Sequence, residues 1–406
     1  MRVLTLTNGY PPHAYGGYEL TCDDVMRRFR ARGHEVTVLT VNQRLPGVAD
    51  VDEPDVRRTL ELYWDWKNNR SAIPRSPRAR LDMERHNLAE LDGVLATTQP
   101  DVVSVWHAGA LSLSLLSELD ARRIPMVFTV ANEWPAHCQV LDGWARLFRG
   151  WPASPRRVRG VPTRPPRLTG ATFNVVSEFT RQRIMRRGAP WDLTDATIVN
   201  PGIDTDDFPL EAASPQPGWS WKLLYVGRID PAKGMQTLVR GLALLPPTAR
   251  LEIVGGGDAR YQQMLLEEAR QLGVADRITV HSLSRDQVRD RYVASDCVVF
   301  PSEWEEPFGL VPLEAMACAR PVVATVRGGS ATFLRDRDNC VEFGVSDPQA
   351  LADAVTAVAT DENLRRAIVA GGLATVPQFT AERYAEDLLR LHEAAAASPP
   401  RQATSG

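Results

Sequence analysis

Short apolar runs recur along the chain, separated by stretches in which apolar positions return every three or four residues. This alternation is the mark of strand–helix–strand units that build a parallel sheet buried on both faces. In the first half it predicts strands over Val3–Thr7, Val36–Val41, Val102–Trp106, Met126–Val130 and Ala171–Val176, with helices over Glu19–Arg32 and Leu111–Arg122 between them. The pattern breaks into loop over Ile198–Pro209, and Glu211–Gly218 reads as a linker. A second alternation follows, with strands expected over Lys222–Val226, Arg250–Val254, Ile278–His281, Cys297–Phe300 and Pro321–Thr325. A last helix is expected over Ala381–Ala396 behind Thr380 as its N-cap, and Pro399 onward reads as a frayed tail. No internal repeat interrupts this order.

Length agrees with the pattern: 406 residues exceed what one hydrophobic core serves, so two α/β domains are expected. A net charge of −3 excludes a general attraction to nucleic acid, though not a local basic patch. Cys22, Cys138, Cys297, Cys318 and Cys340 are odd in number and unpaired in spacing, which reads as reduced, buried thiols. The opening Met1–Thr7 reads as a strand rather than a signal peptide. No run approaches the roughly 20 apolar residues that cross a bilayer. A cytoplasmic enzyme is the expectation.

Two glycine-rich segments fail as nucleotide motifs. Gly255–Gly257 follows a strand, but Arg260 stands where a dinucleotide fingerprint needs its last glycine. Across Gly227–Gly234, Ala232 replaces the second glycine of a phosphate loop and Gly234 replaces its hydroxyl residue. What remains is a strand running into Gly227-Arg228, with Lys233-Gly234 before the next helix. Two cations at a strand-to-helix turn suit a diphosphate, and equally suit an ordinary solvated turn. A second cluster follows the strand Cys297–Phe300, where Glu306 and Glu314 flank seven residues. With a helix from Gly309 onward, eight residues span at most ~12 Å. That distance separates a transferred sugar from a ribose across a diphosphate. The alternative is a Glu314 that merely caps or solvates its helix, and Gly309 argues against it by permitting close backbone approach.

In order and spacing these segments resemble the retaining glycosyltransferases of family 4, which have the GT-B fold. The resemblance runs from Pro11-Pro12 and Gly16–Glu19 through Asn200–Asp204 and Tyr225–Arg228 with Lys233-Gly234. It continues through the E-x7-E motif Glu306–Glu314 to Pro321–Ala324 and Gly328-Gly329. It implies two Rossmann-like parallel-sheet domains facing a central cleft: an acceptor domain over 1–204 and a nucleotide-sugar donor domain over 205–377. The C-terminal helix, 378–396, is implied to pack back on the first. By the same resemblance Arg228 and Lys233 hold the donor diphosphate, Glu306 the transferred sugar and Glu314 the ribose. Phe308, Gly309 and Leu310 offer backbone N–H groups, Gly17 approaches the phosphates, and Leu283 lines the base pocket. Breaking the anomeric bond builds a cationic sugar and an increasingly negative diphosphate, and fixed charges aimed there help most. No metal or other cofactor is expected. The Asp-x-Asp triplets Asp50/Asp52, Asp204/Asp206 and Asp336/Asp338 read as turn residues.

The chain departs from that family at Ala131, where relatives carry a histidine near the reacting sugar. Asn132, Glu133 or His107 is the candidate replacement on the acceptor side, along with Gly16; His107 reads equally as a satisfied loop histidine. A glutamate usual after the Gly-Gly pair is also missing, with Thr332 near its place. Acceptor identity is expected in two irregular stretches, Arg44–Arg80 (with Tyr63, Trp64 and Trp66) and Trp144–Arg167. The second carries Trp151 and arginines 146, 149, 156, 157, 159, 164 and 167. It is expected to form an extended lid, an anionic-acceptor site, a peripheral contact with acidic lipid, or a solvated loop. The expected activity is transfer from a UDP- or GDP-sugar to a hydroxyl of a small acceptor. A lipid-linked acceptor, an epimerase or phosphorylase, and an inactive binding relative are the alternatives.

Overall fold

A computed structural model describes residues 1–14, 16–65, 71–149, 156–210, 218–283 and 285–398. The chain divides into two compact units: Met1–Val199 joined by the residues from Ala385 onward, and Asn200–Tyr384.

The first unit is built on seven strands: β1 (Arg2–Leu6), β2 (Glu35–Val41), β3 (Val56–Leu60), β4 (Val102–Val105), β5 (Met126–Val130), β6 (Thr172–Val175) and β7 (Thr197–Ile198). They pair in parallel in the order β7-β6-β5-β4-β1-β2-β3. Every residue of β4 and β5 is buried, as expected of central strands covered by helices on both faces. The strand order reverses between β1 and β4, and loops leaving the carboxyl ends on either side of such a reversal form a crevice.

The second unit has six parallel strands: β8 (Lys222–Val226), β9 (Arg250–Val254), β10 (Ile278–His281), β11 (Cys297–Phe300), β12 (Val322–Ala324) and β13 (Val341–Glu342). Their order is β10-β9-β8-β11-β12-β13, with the reversal between β8 and β11. Alternation along β8 divides its side chains between two cores. Leu223 and Tyr225 join Met235, Leu238 and Ile253 on one face. Leu224 joins Tyr292, Phe300 and Leu313 on the other.

The last helix, Ala381–Ala397, has the Arg383 N–H on Thr380 Oγ1 at 3.2 Å, as its sequence predicts. From Ala385 it packs within the first unit. His392 is fully buried there, edge-on to Phe29 with ring centroids 5.3 Å apart. Its Nδ1 donates to Leu388 O at 2.7 Å and its Nε2 accepts from Ser104 Oγ at 2.8 Å, which fixes the neutral tautomer. Burial pushes its pKa down to about 4, and that of His107 down to about 3. Both depressed values lie below the ordinary 6.5, so the unfolded chain binds more protons between these limits. The stabilisation is complete above pH 6.5 and is lost as pH falls toward 4 and then 3. Between pH 7 and pH 5 we expect a loss of about 2 kcal/mol per histidine. Urea titrations of the wild type and of His392→Gln at the two pH values check this, and the substitution should remove about 2 kcal/mol of the pH-dependent loss.

The irregular stretches are more ordered than their sequence predicts. Arg44–Arg80 contains β3, a two-residue hairpin pairing Trp64–Asp65 with Ser71–Ala72, and the start of the helix Pro77–Thr98. Tyr63 is buried and donates to Glu84 Oε1 at 2.5 Å, and the hydroxyls of Ser112 and Ser114 also engage Glu84. Burial raises the Glu84 carboxyl above its usual range. The described part of Trp144–Arg167 is not a free lid. Trp144 is buried with Tyr63 and Val161 and donates Nε1–H to Pro162 O at 2.8 Å. Arg157 pairs with Glu118 at 2.8 Å, and Trp191 Nε1 donates to Pro166 O at 3.0 Å. Large apolar side chains at Trp144 and Val161 bind this segment to the unit. Trp66, Trp151, Pro152 and Pro155 lie outside the described residues.

All five cysteines are buried and unpaired. Among the described residues, no helix is long and apolar enough to cross a membrane.

Candidate active site

The reversal between β8 and β11 brings together the two motifs singled out in the sequence. From β8 the chain enters Gly227 at φ +145° and passes Arg228 and Asp230. It then forms a short 3-10 turn, Pro231–Lys233, and enters the helix Met235–Leu244 through Gly234 at φ +70°. A Cβ on Gly234 would lie 1.9 Å from Pro301 O, the first residue after β11, so only glycine lets the two loops stack. The N–H groups of Glu303 and Trp304 both donate to Ala232 O, at 3.0 and 2.8 Å, and lock the loops side by side. Gly255 and Gly257 do similar work: a Cβ on either would meet Gly227 O or Ile229 O at 1.9 and 2.1 Å. They serve backbone packing beside the turn, which accounts for a glycine run without a dinucleotide fingerprint.

Within this cradle the Lys233 ammonium pairs with Glu306 Oε1; the two side chains are only 15% and 10% exposed. Ser302 Oγ donates to the same oxygen at 2.9 Å. Arg228 is about half exposed, and its Nη1 stands 3.6 Å from Asp230 Oδ2. Its backbone is held by Tyr225, whose hydroxyl donates to Arg228 O at 2.7 Å.

The stretch from Pro307 to Leu310 is loop, and the helix begins at Val311, not at Gly309. Gly309 adopts φ +92°, a left-handed conformation that ends any helical reading there, and Pro312 sits in the helix's first turn. Helical rise therefore does not set the separation of Glu306 and Glu314, and the helix Val311–Ala317 begins two residues later than expected. Phe308 is buried against Phe333 and Phe379, with centroids 5.2 and 5.6 Å away. Leu310 is the N-cap, and Leu283 packs, half buried, against the same core. Glu314 accepts from the Tyr292 hydroxyl at 2.6 Å. Tyr292 is fully buried, and desolvation together with Glu314 raises its pKa far above ordinary, so it stays a donor. Ser302, Trp304 and Tyr292 are the residues that sequence reasoning missed. The first two lie inside the Pro301–Glu306 stretch and were available by position, whereas Tyr292 carried no linear signal.

The first unit gathers its candidates at its own reversal. Gly16, extended at φ −175°, is the N-cap of the helix Gly17–Ala31, and Glu19 reaches back to accept its N–H at 2.9 Å. A Cβ on Gly17 would meet nothing within 4 Å, so open space surrounds it. His107 follows β4, is buried edge-on to Tyr18 (centroids 5.4 Å), and accepts the Asn8 N–H on its carbonyl at 2.8 Å. With a pKa near 3 it is neutral at physiological pH. After β5, Asn132 Oδ1 accepts the Trp134 N–H at 2.9 Å. The Glu133 carboxylate is engaged by Arg183, by Arg187 at 2.7 Å and by His137 at 3.7 Å. Asn132 and Glu133, two of the three residues offered in place of an imidazole at position 131, thus have acceptor oxygens engaged within the protein. The aspartate triplets are likewise engaged: Asp50 with His13 and Arg44, Asp204 Oδ1 with Asp206 N–H, and Asp336 Oδ1 with Glu342 N–H.

Residues 15–207 match the family Glycosyltransferase Family 4, and residues 209–373 match Glycosyl transferases group 1. Between them the two family models span most of the chain. Among its curated relatives, a D-inositol 3-phosphate glycosyltransferase of Xylanimonas cellulosilytica is 35% identical over 224 residues, 52% of this chain and 54% of that protein. The chain thus spans about half the length of that relative. A namesake from Thermobispora bispora is 28% identical over 93% of this chain and 91% of its own. Among solved structures, Anabaena HepE in complex with UDP superposes with a TM-score of 0.68 at 18% identity, covering 97% of this chain and all of that one. Sucrose-phosphate synthase from Thermosynechococcus elongatus gives 0.69 at 20% identity, covering 98% of this chain and all of its own. These likenesses establish the GT-B fold.

Proposed function

We propose that this chain is an active family 4 glycosyltransferase that transfers a sugar from a nucleoside-diphosphate sugar to a hydroxyl of a small acceptor, with retention and without a metal. The observation that carries the reading is the convergence of Lys233 with Glu306 at the β8/β11 reversal. Arg228 stands on the same turn and Glu314 on the helix that follows. A cation poised between a buried carboxylate and an incoming diphosphate supplies charge where the leaving group develops it. Glu306, freed from Lys233, accepts from sugar hydroxyls, and Glu314 accepts from the ribose. Retention follows when the acceptor attacks on the face the diphosphate leaves, the donor phosphate taking its proton.

HepE was solved in complex with UDP, so UDP-sugars are the first donors to test. The curated relatives are named for D-inositol 3-phosphate, so a phosphorylated cyclitol is the first acceptor to test. The test is a melting-temperature screen with UDP-, GDP- and ADP-sugars, since a ligand that binds the native state raises its stability by mass action. Nucleotide release is then followed with and without acceptor, in EDTA. Acceptor-stimulated release that survives EDTA, with the donor's anomeric configuration in the product, is the expected result. Donor consumption that yields only an isomerised sugar nucleotide would assign an epimerase instead.

A further inference from the structure

One aromatic side chain in the donor turn is unexplained by the roles assigned above. Lys233 Nζ lies 5.0 Å from the centroid of the Trp304 ring, so the ammonium sits between an indole and the Glu306 carboxylate. The indole is not there by chance rotation of a loose loop. The backbone N–H groups of Trp304 and Glu303 both donate to Ala232 O, one residue before Lys233. Ser302 Oγ lies 3.0 Å from Trp304 O, and Arg327 Nη1 donates to Glu303 O at 2.9 Å. The loop that carries the ring is therefore tied to the turn that carries the cation.

The two partners of Lys233 differ in what a ligand does to them. The Glu306 pairing is directional and must open when Glu306 turns to other donors and Lys233 to an anion. An aromatic face attracts a cation over a broad area and has no hydrogen bond to break. We infer that Trp304 is a positioning residue for Lys233, the partner that keeps the ammonium at the mouth of the turn while its bond to Glu306 is exchanged for the donor diphosphate. This rests on the function proposed above and adds to it a residue outside the E-x7-E motif. The indole also covers one side of the ammonium against water, which keeps its charge effective toward the developing oxyanion.

The experiment is a double-mutant cycle on donor turnover, with Trp304→Leu, Trp304→Phe, Lys233→Ala and the Trp304→Leu/Lys233→Ala pair. Melting temperatures are recorded for each. Trp304→Leu should lower kcat at saturating donor about tenfold, while Trp304→Phe, which keeps an aromatic face, stays within about threefold of wild type. In the Lys233→Ala background Trp304→Leu should add no further loss, because its effect passes through the absent ammonium. Losses that add, or a Trp304→Leu enzyme with normal kcat, would overturn the inference. A chain that turns over no nucleotide sugar removes the function and the role together. The contact itself is then judged in the ligand-free protein by proton NMR. The Lys233 side-chain methylenes, shielded by the indole, should move downfield in Trp304→Leu, and unmoved resonances would refute the contact.

Discussion

Lys233→Ala is expected to lower turnover by two or more orders of magnitude, and Arg228→Ala to do the same. Each removes on the order of 3 kcal/mol of charge stabilisation from the departing diphosphate. The two reach that outcome from different starting points. Arg228 is half exposed, stands 3.6 Å from Asp230 and swings to a phosphate at little cost. Lys233 is nearly enclosed and already paired, so its removal also leaves Glu306 with Ser302 as its remaining hydrogen-bond donor. A carboxylate deprived of its cation in such a place destabilises the fold. Lys233→Ala should therefore melt earlier than Arg228→Ala, and kcat must be measured well below both transitions. Near-normal turnover in either folded variant would remove that residue from the reaction.

The two glutamates should separate by kinetic constant. Glu306→Ala is expected to lower kcat by about a hundredfold or more even at saturating donor, because contacts to the reacting sugar tighten as charge develops. Glu314→Ala should chiefly weaken nucleotide affinity, since a ribose contact is equal in ground and transition states. Free nucleoside diphosphate gives the control: weaker binding to the Glu314 variant, near-normal binding to the Glu306 variant. The opposite pattern would exchange the two assignments. Tyr292 sharpens the contrast by pinning Glu314 Oε2 at 2.6 Å before any ligand arrives, whereas Glu306 waits in an ion pair that the ligand must break.

The central strands were legible because parallel strands buried on both faces read as unbroken apolar runs, as Cys297–Phe300 does. The strand Val56–Leu60 was not, because this edge strand carries Arg57 and Arg58, whose charges interrupt the apolar run. The helix Pro77–Thr98 announced itself only by Ser76 before Pro77, a cap followed by a first-turn proline, and that signal was passed over within a stretch read as irregular. Around the turn after β8, order and spacing along the chain singled out Arg228, Lys233, Glu306 and Glu314. Their partners were hidden. Tyr292 meets Glu314 across 22 residues, and Glu133 meets Arg183 across 50, through packing that no local pattern encodes. The early start assigned to the helix after Gly309 failed for a local reason, since a left-handed glycine cannot extend a helix backward.

The stacking of Gly234 on Pro301 O bears on how this chain can change. At 1.9 Å even a methyl group must drive the lysine-bearing turn away from the loop that carries Glu306, and the left-handed backbone adds its own resistance. Gly329, whose Cβ would fall 1.8 Å from Pro307 O, guards the far side of the same loop. A library aimed at new donors gains nothing by sampling these positions, for every substitution there disassembles the site before it can retune it. Variation is affordable at Leu283, where side chains rather than backbones meet, and retained activity among random variants should map that border between frame and fittings.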